Sequence, residues 1–191
     1  MKIVILGVNG YLGRFIEAFC QKKNLDFSGI NRDQVDFGSE DAYKNLCRIL
    51  NDKNPKLIIN CVGTIDGRNI NPNDIFNSIF IPTFYLYQYL KNKLNYEKIY
   101  VLIFGSNSAG KPRREYPVYA AIKNAEIGLL ETAKDELKDK NIKWLYTVLP
   151  RLSGGLGGCG ETPNSQRNLD FSLICNNMEE IIARIEKDEI S

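Results

Sequence analysis

Tyr119 and Lys123 stand four residues apart in the run YAAIK, which sets a phenol and an ammonium one turn apart on the same face of a helix. A free phenol titrates near about 10 and moves protons poorly at neutral pH, but a neighbouring cation favours the phenolate. Such a pair suits general acid work in a reduction and general base work in an oxidation. The chain has no histidine, which excludes a Ser-His-Asp triad, imidazole ligation of a metal and imidazole proton transfer. Only Tyr, Lys, Asp, Glu and Cys remain for proton transfer near neutral pH.

A second chemistry lies at the other end of the chain. The apolar run KIVIL is followed by Gly7-Val8-Asn9-Gly10-Tyr11-Leu12-Gly13 and then by an amphipathic stretch. The first glycine permits a tight turn, the second lets backbone approach a pyrophosphate, and the third lets helix pack closely on strand. Phosphate is then held at the helix N-terminus, where the dipole and unpaired N–H groups favour an anion. A glycine triplet alone is weak evidence, and its place between a first strand and a first helix strengthens it. The residue after a second strand normally decides the cofactor. A carboxylate there accepts ribose hydroxyls, whereas a basic residue accommodates a 2′-phosphate. Here Asn31-Arg32 occupies that place, favouring NADP, while Asp33 keeps NAD open.

Positioning these groups requires alternating strands and helices. Strands are expected at Ile3–Leu6, Asp26–Ile30, Gln34–Phe37, Leu57–Asn60, Tyr100–Phe104 and Trp144–Leu149, from short β-branched or aliphatic runs. Helices are expected at Tyr11–Lys22, Ser39–Leu50, Pro72–Lys91 and Tyr119–Lys138, with a closing helix at Met178–Lys187. The pattern predicts an α/β, doubly wound Rossmann fold, its parallel sheet of about six strands covered by helices on both faces. Leu152–Asn168, rich in glycine and without period, is expected to be a loop. The expectation is a single nucleotide-binding domain over residues 1–191, with 152–191 as a short substrate-side loop and closing helix.

Composition narrows the function further. Twenty-five Lys and Arg against 23 Asp and Glu give a net charge of +2, too small a field to draw in nucleic acid or an anionic membrane. No apolar stretch approaches the roughly 18 residues of a membrane span, and the reading is a cytoplasmic protein. The five cysteines, Cys20, Cys47, Cys61, Cys159 and Cys175, are scattered and odd in number, so neither a disulfide framework nor a metal site is expected.

The segments MKIVILGVNGYLG to NRDQVDF, with the Tyr-x-x-x-Lys run downstream, resemble the short-chain dehydrogenase/reductase superfamily in its extended and atypical branches. The similarity is strongest to reductases and epimerases acting on nucleotide-linked sugars, and it runs from Met1 to about Arg151. It implies an Asn-Ser-Tyr-Lys catalytic tetrad of Asn77, Ser106, Tyr119 and Lys123, with Ser108 as the rival serine in SNSAG. Ser106 would donate to the substrate carbonyl oxygen, a one-donor form of oxyanion stabilisation, and Asn77 would support a water relay to the lysine. It further implies that Asp36 meets the adenine amino group. Asn60-Cys61-Val62-Gly63 is similar to the superfamily's Asn-Asn-Ala-Gly element bordering the cofactor, with Cys61 and Val62 departing from it. Pro150 stands where a Pro-Gly commonly follows the sixth strand, here as Pro150-Arg151.

The principal expectation is an NAD(P)-dependent oxidoreductase moving a hydride between nicotinamide and a carbonyl or alcohol. Nucleotide-sugar epimerase or dehydratase chemistry is the second reading, and a non-catalytic dinucleotide-binding sensor or scaffold the third. The aromatic residues Phe76, Phe80, Phe84 and Tyr87 repeat along one helix and suggest a two-fold homodimer through that helix and the one bearing Tyr119.

Overall fold

The computed structural model describes residues 1–64, 71–93, 97–111, 114, 116–149 and 164–188, with backbone alone at 164–169. Five strands, β1 (Ile3–Leu6), β2 (Phe27–Ile30), β3 (Leu57–Asn60), β4 (Ile99–Gly105) and β5 (Ile142–Val148), alternate with helices. The helices are α1 (Tyr11–Lys22), α2 (Ala42–Lys53), α3 (Pro72–Asn92), α4 (Pro117–Glu136) and α5 (Asn164–Glu186). All strand pairs are parallel and the sheet order is β2-β1-β3-β4-β5. This is an α/β Rossmann-like fold.

The alternation of each strand sorts the core into two layers. Val4, Leu6, Ile58, Val101 and Ile103 face Leu46, Leu50, Leu86, Leu90, Leu130 and Ala133 of α2, α3 and α4. Their neighbours Ile3, Ile5, Leu57, Ile59 and Leu102 face α1 and α5 through Ile16, Phe19, Ile174, Met178, Ile182 and Ile185. Both faces being covered, the strands read as continuous apolar runs. The two helices with clear start signals begin on them. Asn71 caps α3 by accepting from the Asn73 N–H at 3.0 Å, and Pro follows the cap in both α3 and α4.

Two expectations are corrected. Gln34–Phe37 is no strand, so the sheet has five strands where about six were expected. Val35 is buried and Phe37 packs against the core, which gave the alternation, but side chains satisfy this backbone locally. Asn31 and Gln34 exchange side-chain-to-backbone bonds at 3.0 and 3.2 Å, and Asp36 accepts from the Gly38 N–H at 3.1 Å. Turn bonds of this kind compete with a ladder and win here. The expected loop Leu152–Asn168 and helix Met178–Lys187 also change: α5 already begins at Asn164. Its polar first turns, NSQRN, carry no apolar period and so hid the helix. Residues 150–163, with Pro150 and Cys159, lie outside the described residues.

β1 sits between β2 and β3, so the connections out of β1 and out of β3 run in opposite directions along the sheet. Open α/β sheets bind ligands at the C-terminal edge beside such a reversal.

Candidate functional site

At that edge the β1–α1 turn closes tightly. Gly7 has φ +74°, which an L side chain rarely adopts, and its N–H donates to the Ile30 carbonyl at 2.8 Å. A Cβ on Gly13 would fall 2.1 Å from the Gly7 carbonyl oxygen, so only hydrogen fits where α1 meets the turn. Gly10 caps α1 with no side-chain bond, and no acidic residue stands in the first turn. The positive end of the α1 dipole thus opens at the edge of the sheet, beside a cleft of about 440 Å³. Gly7, Asn31, Arg32, Asp36, Val62, Gly63 and Asn77 are among the residues lining that cleft. This helix end, with a glycine cap and no acidic residue in its own first turn, fits a dinucleotide pyrophosphate.

Of the remaining residues singled out for the cofactor, Asn9, Gly10, Tyr11, Leu12, Asn60 and Cys61 are not among those that line the cleft. Asn9 and Gly10 are exposed in the turn, Leu12 packs into the α1 core layer, and the Tyr11 hydroxyl donates to Asp170 of α5 at 2.8 Å. Asn60 turns inward, and Cys61 packs beneath the sheet. On the rim, Arg32 reaches Asp36 at 3.3 Å with both side chains well exposed, a contact worth little and easily exchanged. The Gly38 N–H, then Arg32, holds the Asp36 carboxyl below the ordinary carboxylate range. Asn31 spends its side-chain oxygen on the Gln34 N–H.

The second group lies at the end of β4. Tyr119 is 5% exposed and packs with Ile75, Ile79 and Ile122 between α3 and α4. Lys123 is 7% exposed and donates to the Phe104 carbonyl at 2.9 Å and to Glu126 Oε2 at 2.7 Å. The pair is therefore anchored to the strand that ends at Gly105 and leads into Ser106. The Ser106 hydroxyl oxygen accepts from the Ser108 backbone N–H at 3.1 Å. That turn is tied to α4, because the Gly110 N–H donates to Asn124 Oδ1 at 2.7 Å.

Asn77 lines the cleft, with its amide nitrogen 3.7 Å from where a Gly38 Cβ would stand.

Three residues near the pair were not anticipated. Glu126, 1% exposed, accepts from Lys123 and from Thr83 Oγ1 at 2.7 Å, and Thr83 in turn accepts from Asn60 Nδ2 at 3.2 Å. The signal for Glu126 was present, a carboxylate three residues after a lysine on one helix. The third is Tyr146 of β5, whose ring fills the space a side chain at Gly105 would occupy, 2.2 Å from that Cβ. Its hydroxyl is buried without a hydrogen-bond partner among the described residues. Burial pushes this phenol up, and the Ser106 backbone, near but short of hydrogen-bonding geometry, offsets part of the rise. Glu126 and Tyr119 lie close enough to raise it further.

At the four described cysteines thiol chemistry is disfavoured. Burial pushes Cys20 up to about 11 and raises Cys61, Cys47 and Cys175, so these free thiols stay protonated near neutral pH. Among the described residues no cluster of metal-ligating side chains occurs, and no helix is long and apolar enough to cross a membrane.

The family model described as "NAD dependent epimerase/dehydratase family" matches residues 3–126. No curated protein sequence matches the chain. Solved structures resemble its fold. A short-chain dehydrogenase/reductase from Vibrio parahaemolyticus superposes with TM-score 0.67 at 15% identity, covering 85% of this chain and 84% of that one. A 4-hydroxyisoleucine dehydrogenase complexed with NADH and succinate gives 0.71 at 18%, over 94% and 90%. A dTDP-4-dehydrorhamnose reductase from Bacillus anthracis str. Ames, in complex with NADP, gives 0.56 at 13%, over 78% of this chain and 53% of that one.

Proposed function

We propose, because the chain belongs to the NAD dependent epimerase/dehydratase family, that it is an NAD(P)-dependent short-chain oxidoreductase acting on a carbonyl or alcohol. The observation that carries this reading is the anchoring of Lys123 on the Phe104 carbonyl at the end of β4. It holds Lys123 near the C-terminal end of β4, and open α/β sheets take their ligands at that edge, which supports reading Tyr119 and Lys123 as the catalytic pair.

A nicotinamide dinucleotide held there supplies the hydride or accepts it. The α1 N-terminus and the Gly7 to Gly13 turn receive its pyrophosphate, and Asn31, Arg32, Asp36, Val62 and Gly63 border its adenosine half. Arg32 exchanges its exposed Asp36 contact for a 2′-phosphate, which favours NADP over NAD. Lys123 binds the nicotinamide ribose. Tyr119 delivers a proton to the carbonyl oxygen in reduction and removes it from the hydroxyl in oxidation. Ser106 donates its hydroxyl proton to the same oxygen, its lone pair already held by the Ser108 N–H.

The family match favours a second reading, in which the same residues oxidise a sugar nucleotide transiently in an epimerisation or dehydration. The chain acts as one domain, and two copies pair through α3 and α4. NADPH consumption against a panel of ketones, aldehydes and sugar nucleotides tests the reading. Turnover that Tyr119→Phe abolishes supports the oxidoreductase, and product isomerisation without net NADPH consumption favours the epimerase. Cofactor binding with no turnover on any member of the panel favours a sensor or scaffold.

A further inference from the structure

We propose that Glu126 is a positioning residue that aims Lys123 at the cofactor, an inference that rests on the reading of Lys123 as the ribose-binding lysine. A lysine ammonium has three N–H donors on a stem of rotatable bonds and does not fix its own direction. Here two of the three are spent within the fold, on the Phe104 carbonyl at 2.9 Å and on Glu126 Oε2 at 2.7 Å. These two bonds fix the Nζ in space and leave one donor to point away from both acceptors.

Glu126 is in turn held rigid. Its other oxygen accepts from Thr83 Oγ1 at 2.7 Å, the Thr83 oxygen accepts from Asn60 Nδ2 at 3.2 Å, and Asn60 Oδ1 accepts from the Val62 N–H at 3.1 Å. Lys123, Glu126, Thr83 and Asn60 are all less than 8% exposed. The series therefore runs from the catalytic lysine through α4, α3 and the end of β3 to the Val62 and Gly63 segment that lines the cleft. A buried ion pair is a poor way to stabilise a fold, since packed apolar residues of similar volume serve as well. Its value here is geometric, because it delivers a charged group in one orientation to the nicotinamide end of the site.

The test is a double-mutant cycle on cofactor affinity, read by NADPH fluorescence in wild type, Glu126→Gln, Lys123→Met and the double variant. Glu126→Gln keeps the shape and removes the charge, and it is expected to raise the NADPH Kd about 10-fold, the loss of one charge-assisted hydrogen bond. The double variant should bind no more weakly than Lys123→Met alone, because Glu126 acts through the lysine. Glu126→Asp should recover part of the loss. Thr83→Val, which removes the other donor to Glu126, gives the same lysine-dependent weakening and serves should Glu126→Gln fail to fold. Wild-type affinity in Glu126→Gln, or losses that add fully to those of Lys123→Met, would overturn the proposal while leaving the function intact. Equal NADPH binding by wild type and Lys123→Met, or none by wild type, overturns the reading of Lys123 and the proposal together.

Discussion

At the scale of single residues, the site separates groups that do chemistry from groups that hold them. If Tyr119 is the proton donor proposed above, Tyr119→Phe removes that donor and leaves the residues lining the cleft in place, so turnover should fall about 100-fold or more with NADPH affinity unchanged. Steady-state rates beside a binding titration check both halves of that statement. Arg32→Ala should raise the Kd for NADPH more than for NADH, because only NADPH offers a 2′-phosphate to the guanidinium. Equal losses for the two cofactors would remove Arg32 from cofactor choice. That Tyr119 and Lys123 share one helix after a strand was legible in the sequence, from their four-residue spacing and their place behind the apolar run of β4. Thr83 was not, because its neighbours FIPTFYL read as a uniformly apolar helix face. Its meaning comes only from Asn60 and Glu126, which lie 23 and 43 residues away in sequence.

At the scale of elements, the same side chains knit three of them together. Thr83 joins α3 both to α4 and to the end of β3, and it is fully buried. Thr83→Val keeps the volume and leaves a buried carboxylate short of a donor, a change expected to cost about 1–3 kcal/mol of folding stability. Urea unfolding should show a lower midpoint at unchanged slope, and an unchanged midpoint would deny the bridge its structural part. Pro82 sits inside α3 without ending it. The β1–α1 turn was readable because glycine spacing states a steric requirement that Gly7 and Gly13 meet. The edge of the sheet was not. Val35 and Phe37 alternate like strand residues, while the polar side chains of Asn31, Gln34 and Asp36 take the backbone bonds a strand would need.

At the scale of the whole molecule, α3 carries a row of aromatic rings. Phe76, Phe80 and Phe84 stack at 5.0 and 6.1 Å between centroids, and Phe76 is 39% exposed. A self-complementary row of this kind suits a two-fold interface with α4 alongside. Sedimentation equilibrium at micromolar concentration should give a dimer, and Phe76→Glu should shift it toward monomer. A single species at the monomer mass in the wild type would reject the interface. The account as a whole stands on the cleft beside the β1–α1 turn being a nicotinamide dinucleotide site. Equilibrium titration of the purified chain with NADPH and NADH, followed by cofactor fluorescence, tests this most directly. The account predicts saturable binding of one dinucleotide per chain, tighter for NADPH, and lost in a folded Gly13→Ala variant whose new Cβ meets the Gly7 carbonyl. A wild-type titration that does not saturate with either cofactor, or a Gly13→Ala chain that binds as the wild type does, would contradict it.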